Sequence, residues 1–363
     1  EYPVPPLRAP AAGVVPSVDH ILAYESVALF VARARAAKPQ FRVDERNAAA
    51  VTELVRRLDG LPLAIELAAA RIKLLTPQAM LDRLEKRLDL LASSARNVPE
   101  RQRTLRGAID WSYGLLEPTE QHVFERVGVF AGGLDLDTAE AIVNPDDECG
   151  TDLFDALASL VEKSLLRQEE VADLPRFSQL ESIRQYALDR LAQRGESELL
   201  HRRLTEHIAG LVADAEPYLD RTDDEGWFDR LDAEQDNVRA ALRWAIAAPD
   251  PSLAERVVGP VWRFWSRKGL LTEGSWWTDE VLGLAAEPSP SQAKVLLAQG
   301  SLRYWRGDYA GAETPYTQAL VMYREVGDDQ GATEASYNLG YAHLFKSPPD
   351  YEAARAAFEA ALE

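Results

Sequence analysis

The sequence predicts a mainly α chain in three parts: a helical N-terminal domain, a helical domain closed by a small β-hairpin, and a stack of helical hairpins. Three observations carry this. Val51, Leu54, Val55 and Leu58 fall at i, i+3, i+4 and i+7, the period of one helix face. Only residues 164–168 and 176–180 have strand character, with polar Glu169 to Asp173 between them. Gly300, Ala312, Tyr316 and Ala319 recur as Gly340, Ala354, Phe358 and Ala361, the self-similarity expected of stacked repeats. A length of 363 residues allows two to three domains, each with its own core. The hydrophobic share of 46% and charged share of 27% are ordinary for a globular chain. No apolar run approaches membrane-spanning length, so no membrane partner is expected.

Residues 1–17 read as an entry linker, because Pro3, Pro5, Pro6, Pro10 and Pro16 exclude a helix. The first domain, 18–94, carries predicted helices over 26–37, 45–58, 63–74 and 77–91, the last started by Thr76 as cap and Pro77 at the first helical position. Between the second and third, Gly60-Leu61-Pro62 breaks the pattern and lets it resume at once. Gly60 suits the positive φ that closes one helix, and Pro62 suits the first turn of the next. Such a corner presents a rigid apolar ring at a helix N-terminus whose free N–H groups attract anions. As residues alone, it is most simply a plain helix–helix turn.

The second domain, 95–190, combines three helices with the hairpin, which makes a winged helix. The helix in the DNA-reading position, 152–163, offers Leu153, Phe154, Leu157, Leu160 and Val161 with Asp152, Asp155 and Glu162, whereas major-groove readers favour Arg, Lys, Asn or Gln. An internal packing module is the expectation, a DNA reader the alternative. The formal net charge of −19 points the same way, since affinity for a duplex comes mostly from Lys and Arg neutralising phosphates. No direct nucleic-acid binding is therefore expected. Arg101, Arg103 and Arg106 crowd the start of a helix through Trp111, where the macrodipole disfavours cations. Glu100 and Asp110 can supply the compensating charge; the alternative is docking onto another domain.

Residues 191–290 read as degenerate helical hairpins, with Gly269 at a turn and Val281 near the end of a second helix. In 291–363, Gly300, Ala312, Tyr316 and Ala319 match positions 8, 20, 24 and 27 of the tetratricopeptide pattern, with Gly307-Asp308-Tyr309 as the inter-helix turn. Small residues at Gly300 and Ala312 should let two helices approach closely. The second copy lengthens its turn through Lys346 to Asp350, and the 40 residues from Gly300 to Gly340, against 34 in the pattern, imply extended helices or a longer connection. Trp227, Trp244, Trp262, Trp265, Trp276 and Trp277 read as fillers between helix layers, with an aromatic ligand pocket near Trp276 and Trp277 as the alternative.

Catalytic readings find little support. His20, His122, His201, His207 and His343 lack metal-ligand spacing, and Gly-x-Ser-x-Gly is absent. The single cysteine, Cys149, cannot form an internal disulfide, as expected for a reducing, cytoplasmic setting. No reaction is assigned.

Beyond the residues themselves, the run Gly60 to Arg71 resembles the GLPLA motif of the helical ARC region in STAND-class (NB-ARC-like) signal-transduction ATPases, especially the actinobacterial transcriptional regulators of the AfsR and LuxR type. The resemblance continues through Gln102 to Arg106, Asp110 to Leu116, Val129 to Gly133, Leu157 to Leu165 and Leu180 to Ala187, in the family's order over about residues 18 to 190. It implies that Gly60, Leu61 and Pro62 face a nucleotide, with the proline against the adenine of ADP. No Gly-x-x-x-x-Gly-Lys-Ser/Thr phosphate loop is present, and a chain opening at Glu1 reads as the piece following such a domain. The family's Met-His-Asp motif aligns with Gln179-Leu180-Glu181, so Leu180 stands where the phosphate-sensing histidine would be.

The resulting expectation is a helical ARC domain, a winged helix with a small β-hairpin, and a tetratricopeptide-like α-solenoid. Together they form the regulatory and sensor portion of a nucleotide-switched transcriptional regulator. ADP or ATP belongs to the parent protein, is not held tightly by this chain, and glues an upstream nucleotide-binding domain to the ARC and winged-helix modules. The superhelix receives an inducer or partner protein. The competing reading is a nucleotide-independent repeat scaffold.

Overall fold

The computed structural model describes residues 6–10, 18–58, 60, 62, 65, 68–69, 71–73, 75–84, 106, 109, 113–114, 116–163, 165–171, 174–221, 226–248, 251–284 and 288–362. The chain divides into two compact units, 1–170 with 175–196, and 197–363 with 171–174.

The first unit opens with α1 (Val18–Ile21), α2 (Glu25–Ala37) and α3 (Ala48–Arg57). The face of α3 that the sequence marks as apolar is the buried one: Val51, Leu54, Val55 and Leu58 are all inaccessible. A 3-10 turn (Arg71–Lys73) precedes α4 (Pro77–Leu84), whose start is capped as its sequence implies, Thr76 Oγ1 accepting from Ala79 N at 3.2 Å. The predicted helix 63–74 and the continuation of 77–91 past Leu84 lie largely outside the described residues.

The winged helix comprises α5 (Pro118–Val127), α6 (Leu136–Ile142), α7 (Leu153–Glu162), β1 (Arg167–Val171), β2 (Leu174–Ser178) and α8 (Glu181–Arg194). Proline at the first position starts α5, while Asp135 and Asp152 cap α6 and α7 by accepting from Thr138 N and Asp155 N. Gly195, at φ +83°, ends α8. The hairpin is displaced from its predicted position: β1 begins three residues later and takes in Glu169 and Glu170, which the sequence reading placed in the turn. From Gln168 onward its side chains face solvent, so no polar alternation marks it. A distant bridge anchors β2, in which Leu134 and Phe177 exchange two 2.8 Å backbone hydrogen bonds.

Outside 171–174, the regular elements among the described residues of the second unit are helices: α9 (Ser197–Ala215), a 3-10 turn (Glu216–Tyr218), α10 (Trp227–Ala233), α11 (Gln235–Ala247), α12 (Ser252–Lys268), α13 (Leu271–Leu282), α14 (Pro290–Trp305), α15 (Tyr309–Val326), α16 (Asp329–Phe345) and α17 (Tyr351–Ala360). Gly269 and Gly307 take positive φ at the predicted turns, and successive helices pack in hairpins to form a tetratricopeptide-like solenoid. Extended helices account for the long repeat: α15 has 18 residues and α16 has 17.

The nearest neighbour of Gly300 across the helix pair is Tyr316, since a Cβ on Gly300 would come within 2.6 Å of the Tyr316 ring. Gly340 meets Phe358 at the same 2.6 Å. The partners are 16 and 18 residues away, the difference matching the two-residue extension of the second turn. Trp262, Trp265 and Trp277 are core residues, and Trp276 is half exposed. No helix among the described residues is long and apolar enough to cross a membrane.

Candidate functional site

Two places carry the functional expectations: the corner at Gly60-Leu61-Pro62 and the outer face of the winged helix. At the corner, Gly60 is buried with φ +64°, donates to Val55 O at 3.2 Å and accepts from Leu7 N at 2.9 Å. A Cβ at Gly60 would sit 2.1 Å from Leu7 O, so glycine is needed for both the conformation and the close approach. The segment 6–10 is thereby tied down, helped by Arg8, which donates to Glu25 at 2.8–3.2 Å, and by Ser26 Oγ, which donates to Arg8 O at 2.7 Å. Pro62 is exposed, so its ring is available to a ligand or domain; Leu61 lies outside the described residues.

Leu180 occupies the N-cap of α8, and Glu181 follows it. Burial works against the charge of Glu181, but Arg184 donates to it at 2.8 and 2.9 Å and Gln185 at 2.8 Å, while Arg56 of α3 adds a favourable field. The carboxyl is consequently held below the ordinary carboxylate range.

In the winged helix, α7 buries Leu153, Ala156, Leu157 and Leu160 and turns Phe154 and Asp155 outward, with Phe154 58% exposed. Lys163, just past its end, donates to Glu120 at 2.7 Å, and the Ser159 hydroxyl donates to the same carboxylate. On the hairpin, Gln168, Glu169, Glu170 and Val171 are exposed. Arg176 is turned back onto Gly132 O and Gly133 O at 2.9 and 3.1 Å.

A network of charged side chains runs through the interior of this domain. Arg126 of α5 is buried; it donates to Val143 O at 2.8 Å, Glu148 at 2.7 Å and Glu196 at 2.8 Å. His122 Nε2 lies 3.0 Å from the Glu196 carboxylate. Burial opposes the charge of Glu196, but hydrogen bonds from Arg126 and His122 prevail and lower its pKa. Tyr113 hydrogen-bonds the buried Glu125, which also pairs with Arg194. Burial and the Glu125 hydrogen bond push the Tyr113 phenol up to about 12.

Of the three crowded arginines, Arg101 and Arg103 lie outside the described residues, as do Glu100, Asp110 and Trp111. Arg106 reaches an acidic partner that local sequence does not suggest, Asp189 of α8 at 2.9 Å, and lies 5.5 Å from the Tyr186 ring centre. Cys149 is buried, donates to Val143 O at 3.4 Å, and has its thiol pKa raised by burial.

Comparison with known proteins places this geometry. Residues 116–192 match the family described as "Winged helix-turn-helix domain". Proteins named "Putative HTH-type transcriptional regulator" in Mycobacterium bovis and Mycobacterium tuberculosis are 35% identical over 330 residues, covering 88% of this chain and 37% of theirs. An "Uncharacterized protein" of Mycobacterium tuberculosis is 39% identical over 188 residues, 52% of this chain and 48% of its own. The chain thus spans little more than a third of the regulators it matches. A solved STAND protein with a tetratricopeptide repeat sensor from Pyrococcus horikoshii aligns with 93% of this chain and 52% of its own at 13% identity, with a TM-score of 0.30, too low to carry an argument.

These findings correct one expectation. A winged helix-turn-helix domain, in a chain similar to proteins named HTH-type transcriptional regulators, points to DNA binding and overturns the reading that excluded direct nucleic-acid contact. The charge summed over 363 residues does not set the field at one domain face, because screening confines each exposed charge to roughly 8 Å. The relatives and the domain support a regulatory role.

Proposed function

We propose that this chain is the regulatory and sensor portion of a transcriptional regulator of the AfsR and LuxR type, with the winged helix as its DNA-contacting module. The carrying observation is α7, whose outward residues Phe154 and Asp155 project from a matched helix-turn-helix domain. A carboxylate there accepts from cytosine N4, and an aromatic ring packs on a thymine methyl. In the parent protein, ADP or ATP closes an upstream nucleotide-binding domain onto the corner Gly60-Leu61-Pro62 and the winged helix, while the solenoid receives an inducer or partner protein. Support for the nucleotide arm comes from the motif, the positive φ of Gly60 and the exposed Pro62. Lacking a phosphate loop in its sequence, the chain by itself would neither hydrolyse nor hold nucleotide tightly.

The test is selection of duplexes from a random pool by the purified chain, followed by anisotropy titration at several salt concentrations. Enrichment of a common site, bound with a linear loss of log affinity against log salt, is the expected result. A pool that stays unenriched would remove the DNA arm and leave the nucleotide-independent repeat scaffold as the better reading.

A further inference from the structure

The first domain contains a cavity of about 480 Å³ whose described lining includes three cations, Lys38, Arg46 and Lys73, and no acid. In a chain with 59 acidic and 40 basic residues, that is a local reversal of sign. Lys38 follows the end of α2, Arg46 precedes α3, and Lys73 closes the 3-10 turn, so three separate elements converge their charges on one space. Arg46 is partly neutralised by Asp44 at 2.8 Å, whereas neither lysine has an ion-pair partner among the described residues. The floor is apolar: Phe41, Ala50 and Ile72 are 8%, 7% and 3% exposed. Cations at the rim over an apolar floor favour a ligand with an anionic group joined to an apolar body, and the volume lies within the range of small-molecule sites.

We propose that this cavity binds a small organic anion, a phosphate or carboxylate attached to an apolar ring or chain. It is separate from the Gly60 corner: its residues meet the N-terminal end of α3, and Gly60 follows the C-terminal end, ten helical residues or about 15 Å away. The charges supply long-range attraction to the anion, and Phe41 with Ile72 discriminates an apolar ligand from a bare ion.

The experiment titrates the full chain with inorganic phosphate, phenyl phosphate and benzoate, read by calorimetry and by NMR shifts. Phenyl phosphate or benzoate should bind saturably near or below about 1 mM, well ahead of inorganic phosphate, and weaken with salt. Lys38→Glu with Lys73→Glu should abolish binding while leaving the melting curve close to wild type, and Lys73→Met alone should weaken it roughly fivefold, the scale of one exposed ion pair. Pro62→Ala should leave it unchanged. Equal affinity for phosphate and phenyl phosphate, or binding unaffected by the double reversal, overturns the proposal, as does a chain that none of the three probes saturates. Should the double reversal unfold the chain, the Lys73→Met titration decides alone.

Discussion

The Tyr316 ring occupies the space that a side chain on Gly300 would need: a Cβ built on Gly300 falls 2.6 Å from Tyr316 Cδ1 and 2.7 Å from Cε1. Gly340 repeats the relationship with Phe358 one repeat later. The glycine thus serves an aromatic knob from the partner helix.

Gly300→Ala should therefore destabilise the solenoid. Alanine gains about 1 kcal/mol over glycine in a helix interior, and overpacking against a fixed ring costs about 1–3 kcal/mol. Tyr316 is 2% exposed and cannot move aside, so a net loss of up to about 2 kcal/mol is expected. Gly340→Ala should be close to neutral, because Phe358 is only half-buried and can swing. Ala312→Leu, at a site with no accessible surface, should cost about 1–3 kcal/mol by the same overpacking. Denaturant melts of the three variants check the order.

The winged helix should lose stability in acid through Glu196. Its folded pKa lies below the ordinary 4.5, since hydrogen bonds from Arg126 and His122 outweigh the opposing effect of burial. The contribution is thus complete above the unfolded value and is lost as the pH falls through the folded one. Glu196→Gln should flatten the stability profile on the acid side of about pH 5. Arg126→Met should cost more, about 2–3 kcal/mol at neutral pH, discounted from a fully buried pair because Glu148 and Glu196 keep some solvent. Chemical denaturation at a series of pH values would show an unchanged acid slope in Glu196→Gln if the assignment is wrong.

Asp155→Lys tests the orientation of the reading helix. Asp155 is exposed beside Phe154 on α7. If this face meets the duplex, the substitution removes a repulsive charge and adds one phosphate contact. Affinity for non-specific duplex should rise, while the selected site loses the cytosine contact of Asp155 and gains less, and the slope of log K against log salt should steepen by about 0.9. Lysine in the first helical turn costs only a few tenths of a kcal/mol in helix stability. An unchanged slope in anisotropy titrations would place α7 away from DNA.

What the sequence revealed followed from how locally each feature is determined. Thr76 and Pro77, Gly269, Gly307 and the apolar face of α3 depend on residues within a turn or two, and all appear where expected. The hairpin position was not legible, because β1 faces solvent and β2 is anchored by a bridge between Leu134 and Phe177, 43 residues apart. Nor was the partner of Arg106, which lies 83 residues away at Asp189. The Gly300 pattern was legible as a repeat, but which side chain fills the gap depends on how the next helix is rotated. Nucleic-acid binding was not legible for a different reason: summed charge is a property of the whole chain, whereas binding depends on the field and side chains at one domain face.

The corner separates two roles that sequence reasoning joined. Gly60 is structural, with its backbone at φ +64° and packed beneath Leu7. Gly60→Ala would incur about 1–2 kcal/mol for the left-handed conformation and would drive a methyl group to 2.1 Å from Leu7 O. The isolated chain should melt markedly earlier and lose segment 6–10 to proteolysis. Pro62 is exposed, so Pro62→Ala should change the isolated chain by only about 0.4–1 kcal/mol, through unfolded-state freedom and the helix start. In a longer protein carrying the phosphate-binding domain, the same substitution would remove about 40–60 Å² of apolar contact with adenine, worth roughly 1–1.5 kcal/mol or near tenfold in ADP affinity. Calorimetric titration of ADP into wild-type and Pro62→Ala parent, beside melting curves of the shorter chains, distinguishes the roles. Equal ADP affinities would leave Pro62 a turn residue and withdraw the main residue-level support for a nucleotide switch.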